Sequence, residues 1–157
     1  MDPIFETILK NTYTQSQFKH RLRILKSFVS QKLFGGQDSQ LNETDLAWIK
    51  TLPEAFFQNF TKDNCTDYFK AVEERLANTP SLMLNIAFEP NDEALSEIGQ
   101  FTRTNFTSFK LLDFKYDPSV IAGCVLNWKG ISKDYSVREA IEEKKEVLLE
   151  SFKKFLR

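Results

Sequence analysis

Histidine is nearly missing from this chain: His20 is the only one among 157 residues. A His-rich metal centre is therefore excluded, and His20, on a helix among basic neighbours, reads as part of a solvated face. Cysteine is scarce too, and Cys65 and Cys124 lie too far apart for metal-ligand spacing. With no secretory leader they read as reduced thiols. No apolar run approaches the length needed to span a bilayer. Acidic Asp2 and Glu6 near the start are unlike a presequence. The expectation is a soluble cytosolic protein, so the sequons at Asn42, Asn59, Asn64 and Asn105 are coincidental. Glycine is sparse, and Gly35-Gly36 lacks the Lys-Ser/Thr of a phosphate loop. An excess of one charge is absent as well: the net charge of −1 argues against nucleic acid as the partner. Neither composition nor motif calls for a cofactor.

Phenylalanine is abundant, with fifteen against two Trp, in a chain that is 41% hydrophobic. Core filling is the ordinary role of such residues. Clusters such as Phe56-Phe57 and Phe152 to Phe155 are also candidates for docking surface.

Up to Pro80 the periodicity is helical throughout. Phe5, Ile8 and Leu9, then Phe18, Leu22, Leu25, Phe28, Val29 and Leu33, recur at i, i+3 and i+4. This predicts two helices, or one broken near Asn11 to Ser16, ending at Gly35-Gly36 before a polar loop. Lys19, His20, Arg21, Arg23, Lys26 and Lys32 mark the opposite face, read as solvated or as facing an acidic partner. Asn42-Glu43-Thr44-Asp45 offers caps for a short helix through Leu52, and Pro53 interrupts or restarts it. Asn64 or Thr66 caps a further helix ending before Pro80.

Beyond Pro80 the pattern changes. Leu82 to Phe88 is a nearly continuous apolar run, predicting a strand buried on both faces. Asn91 or Asp92 caps a helix with Ala94, Leu95, Ile98 and Phe101 on one side, and Ser108 to Tyr116 resumes strand character. The prediction is an α+β fold: a helical bundle over residues 1–80, then a small β-α-β-β-α domain over residues 81–157.

The last third is the most informative. Asp117-Pro118-Ser119 is a turn signal, Ala122 to Trp128 a strand, Lys129-Gly130 a tight reversal and Ile131 to Tyr135 a second extended piece. Ser136-Val137-Arg138-Glu139 reads as a capping box opening the final helix. Asp117, Asp134 and Ser136 are read as turn and cap residues, and Gly123 and Gly130 as sites of close backbone approach or positive φ. The final helix carries Val137, Ile141, Leu148, Phe152 and Phe155 along one side, interrupted around Lys144-Lys145. Its first half is expected to pack on the sheet. Its second half either packs within the domain or projects to pair with another helix.

Asp117-Pro118-Ser119-Val120-Ile121-Ala122-Gly123, followed at fixed spacing by Asp134-Tyr135-Ser136, resembles the C-terminal signature of the delta subunit of F-type ATP synthases. The mitochondrial member of that family is the oligomycin-sensitivity-conferring protein. The family writes Gly where Ala122 and Tyr135 stand, and the resemblance covers about half the chain, from residue 80 onward. It implies a non-catalytic peripheral-stalk subunit that needs no cofactor or metal. The N-terminal bundle would grip N-terminal helices of the alpha subunits, and the C-terminal domain the ends of the stalk b subunits. The protein would then meet the cytoplasmic face of the membrane only through the complex. On that basis Phe5, Ile8, Leu9, Phe18 and Leu22 are expected to make the head contact, and Leu148, Phe152 and Phe155 the stalk contact. The bundle is shorter than the family's six-helix domain. A stator component of a V-type or export ATPase is an alternative, disfavoured by the lack of a sustained heptad. A small ligand-binding or enzymatic α+β domain is another, and a deep pocket with convergent polar groups would favour it.

Overall fold

The computed structural model describes residues 3–35, 41–106 and 110–155. The class is α+β. Helices α1 (Pro3–Leu9) and α2 (Gln15–Phe34) are separate, so the break near Asn11 to Ser16 is a real turn. Thr14 starts α2 with a capping box: its Oγ1 accepts from Gln17 N at 3.0 Å, while Gln17 Oε1 accepts from Thr14 N at 3.3 Å. Gly35 closes α2 at φ 70°; Gly36 and the loop after it lie outside the described residues. Helix α3 (Glu43–Lys50) is capped by Asn42, α4 (Glu54–Phe57) restarts after Pro53, and α5 (Cys65–Asn78) follows Asn64.

These helices enclose an aromatic core. Phe5 and Phe18 meet with ring centroids 4.9 Å apart, and Phe60 stacks on Phe69 at 5.4 Å. Val72 and Leu76 of α5 and Leu22, Leu25 and Val29 of α2 fill the space between. Most of the helical-stretch phenylalanines are thus core filler.

The sheet contains β1 (Ser81–Ile86), β2 (Leu111–Tyr116), β3 (Cys124–Trp128) and β4 (Ile131–Asp134), in the order β2-β1-β3-β4. Strands β1 and β2 are parallel, joined by the crossover helix α6 (Asp92–Asn105), and the remaining pairs are antiparallel. Leu84 pairs with Phe114 on one side and Leu126 on the other, placing all three on the face covered by Ile98 of α6. The expectation that Leu82 to Phe88 is buried on both faces is corrected. Leu82, Leu84 and Ile86 are buried, whereas Met83 is 39% exposed, and the strand ends before the exposed Phe88. The sheet has one well-covered face, and Met83 points away from it.

The bundle and sheet share material. Leu111 is 1% exposed and belongs to the helical core. Thr14 forms a parallel bridge with Leu112, whose N donates to Tyr13 O at 2.8 Å. The α1–α2 turn therefore lies along the open edge of β2 like a short extra strand.

The final segment is divided into α7 (Val137–Glu143) and α8 (Lys145–Phe155), with the break at Lys144. No residue of either helix is buried. The expected packing of the first half on the sheet is therefore absent: Val137 and Ile141 are 42% and 50% exposed. The segment is anchored at its root, where Val137 N donates to Ile121 O and Ala122 O, each at 3.1 Å.

Candidate partner-binding surfaces

The signature residues build the turns that launch this helical arm. Asp117 Oδ1 accepts from Ser119 N at 2.9 Å and from Ser119 Oγ at 2.6 Å, an Asx turn held open by Pro118 between them. Ala122 and Gly123 follow at φ 51° and 85°. A Cβ on Gly123 would sit 2.2 Å from Tyr135 O, so this glycine serves both close approach and positive φ. Ala122 adopts a left-handed conformation at the position where the family resembled has Gly. Lys129 and Gly130, both at positive φ, form the two-residue reversal between Trp128 and Ile131.

The anticipated Ser136-to-Glu139 capping box is not formed. Ser136 occupies the cap position of α7 without a side-chain cap bond and is 4% exposed. Asp134 takes over the turn, its Oδ1 accepting from Ser136 N at 2.7 Å. The reason is local geometry: Tyr135 N is tied to Cys124 O at 2.8 Å, directing Ser136 inward beside Gly123.

Hydrogen bonds from Ser119 hold the Asp117 carboxyl below the usual carboxylate range, and those from Ser136 do the same for Asp134. A folded value below the unfolded one gives stability that is present above the unfolded pKa and lost as pH falls through the folded one. Carbon-detected NMR titration is expected to show both midpoints depressed. Asp117→Asn should make the acid-side decline of stability shallower; an undepressed Asp117 midpoint would contradict the Asx geometry. Cys124 is half-buried, and burial, with Asp134 nearby, pushes its thiol up.

These residues shape the backbone through turns and caps. Among the described residues no cluster of three or more His, Cys, Asp or Glu is placed to hold a metal ion.

The head-contact assignment needs correction. Phe5, Ile8, Leu9 and Phe18 are 1%, 0%, 6% and 0% exposed, so they hold the bundle together and cannot reach a partner without opening it. Helical periodicity marks an apolar face but does not say what covers it. Leu22, though 4% exposed, reaches the floor of a groove of 450 Å³ between α2 and α5 with Leu76 and Ala77. Lys19, Arg23 and Lys26 form its rim, with Lys26 crossing to Glu73 at 3.3 Å. The groove has an apolar floor and a mostly basic edge.

Three members of the supposed solvated face, His20, Arg21 and Arg23, are engaged with other side chains or with the backbone. His20 Nε2 meets Asp45 Oδ1 at 3.1 Å, and Arg23 Nη2 approaches His20 Nδ1 at the same distance. Arg21 turns inward to the Asn11 carbonyl and Thr12 Oγ1, over the Trp48 ring, and desolvation lowers its pKa.

The residues expected to make the stalk contact lie on a different kind of surface. Leu148, Phe152 and Phe155 are 39%, 62% and 88% exposed. With Leu149 they form an exposed apolar stripe along α8, and Ile141 is exposed on α7 before the break at Lys144. An eleven-residue helix with no buried face has little tertiary support. Its apolar stripe is left uncovered by the rest of the described residues.

Sequence reasoning missed Tyr13, Thr14, Gly99 and Arg103, which join the two parts of the molecule. Only Thr14-x-x-Gln17 carried a legible sign, the cap pattern itself. Compared with protein-family models and with curated proteins, the chain matches none.

Proposed function

We propose that this chain is a non-catalytic stator subunit of an F-type ATP synthase, linking the catalytic head to the peripheral stalk. The observation that carries the reading is the arm from Val137 to Phe155, with its uncovered apolar stripe launched from the Asp117-to-Ser136 turns that resemble the delta signature. Rotation driven by ion flow makes ATP only if the head is held still, so such a link resists torque through packed helices. In this reading the ends of the b subunits cover Leu148, Phe152 and Phe155. An amphipathic N-terminal helix of an alpha subunit lies in the groove between α2 and α5, its acidic residues meeting Lys19, Arg23 and Lys26. The protein sits at the cytoplasmic face of the membrane through the complex. Among the described residues no helix is long and apolar enough to cross a membrane.

The test is affinity capture of the tagged full chain from its native cells, with mass spectrometry of the bound subunits. Leu148→Asp with Phe152→Asp should reduce recovery of b by about tenfold or more, as losing central apolar anchors does. The same pair should change stability by no more than about 0.5 kcal/mol, because both side chains are exposed. Lys19→Glu with Arg23→Glu should instead reduce alpha. Failure to recover any ATPase subunit with the parent chain would overturn the reading.

A further inference from the structure

The turn between α1 and α2 is held from three directions. Arg103 of α6 donates from Nη2 to Thr12 O and to Lys110 O (3.0 Å), from Nε to Lys110 O at 3.2 Å, and from Nη1 toward Lys10 O at 3.5 Å. Its guanidinium lies 4.9 Å from the Tyr13 ring centroid. Gly99, one helical turn earlier, leaves the space that ring occupies: an added Cβ would fall 2.4 Å from Tyr13 Cγ. Gln100 Nε2 donates to the Tyr13 hydroxyl at 3.3 Å. On the other side Tyr13 O accepts from Leu112 N, and Leu111 enters the helical core.

We infer that residues 10–14 are a strap locking the bundle and the sheet into one rigid unit, with Arg103 as the positioning residue. The planar fork suits this work, since one guanidinium reaches carbonyls on both parts, Lys10 and Thr12 on one and Lys110 on the other. Desolvation of Arg103 agrees with a guanidinium drawn into the seam. Units joined by a short linker move relative to one another unless their interface is substantial; here the link is a strand bridge, a ring seated on a glycine and a multidentate arginine. The inference does not depend on the proposed function. If that function holds, the strap is the part of the chain through which force passes between the partner surfaces.

The experiment is pulsed electron paramagnetic resonance on the full chain, spin-labelled at exposed Lys70 of α5 and Lys133 of β4, with Cys65 and Cys124 replaced by Ala. The parent should give one narrow distance distribution. Arg103→Ala, with its circular dichroism unchanged, should broaden that distribution by about twofold or add a second population, as released units do. Arg103→Lys should lie between, because it keeps the charge but not the fork. A broad distribution in the parent would overturn the inference. So would a narrow, unshifted distribution in a folded Arg103→Ala. If that variant fails to fold, Arg103→Lys decides alone, and an unchanged width there counts against the strap.

Discussion

Phe18→Ala is expected to destabilise the protein by about 3–5 kcal/mol, the usual cost of removing a buried aromatic ring. The side chain is 0% exposed and its ring lies 4.9 Å from that of Phe5. The loss therefore combines transfer of the ring, the cavity left behind and the broken aromatic pair, the last worth about 0.5–1.5 kcal/mol. Against a typical total stability of about 5–15 kcal/mol this approaches unfolding. Urea denaturation should show a lower midpoint with an unchanged slope. Phe155→Ala is the control: at 88% exposure it should stay within about 0.5 kcal/mol. The comparison separates two roles that helical periodicity makes look alike. A Phe18→Ala loss below about 1 kcal/mol would remove Phe18 from the core and restore it as a docking candidate.

Gly123→Ala is expected to cost at least about 2 kcal/mol, while Gly130→Ala costs about 1 kcal/mol. Both glycines have positive φ, 85° and 81°. They differ in surroundings: a Cβ at Gly123 meets the Tyr135 carbonyl at 2.2 Å and the Ser136 Cα at 3.0 Å, whereas Gly130 has nothing within 4 Å. The obstruction at Gly123 is backbone, so no side chain can swing aside. Movement must pass into the Tyr135–Cys124 hydrogen bond and into the root of α7. Thermal unfolding of the two variants gives the ranking, and hydrogen exchange at Tyr135 N and Val137 N should accelerate in Gly123→Ala only. Equal losses would mean that positive φ alone explains both positions.

These cases show where local chemistry was enough. Proline and glycine placement, Asx turns and side-chain caps depend on a few neighbouring residues, so the breaks at Pro53 and Pro80, the cap at Asn42 and the reversal at Lys129-Gly130 were legible in order. The α+β class was legible too, because helical periodicity gives way after Pro80 to a nearly continuous apolar run of strand length. The Ser136 cap failed for the opposite reason. Its pattern was locally valid, but the Tyr135–Cys124 bond turned the side chain inward and gave the turn to Asp134.

What the sequence determined by itself was the series of elements up to the final helix, which is divided at Lys144, together with the turn residues and the existence of apolar faces on α1, α2 and α8. Which of those faces is covered was decided only by the tertiary structure. Phe5 and Phe18 disappear against α5, while Leu148 and Phe152 stay open on the arm. The strap of Tyr13 and Arg103, residues ninety apart in the chain, was equally invisible beforehand. Periodicity reports the direction in which a side chain leaves its own helix. What that side chain meets depends on where distant segments come to lie, and no local pattern carries that information.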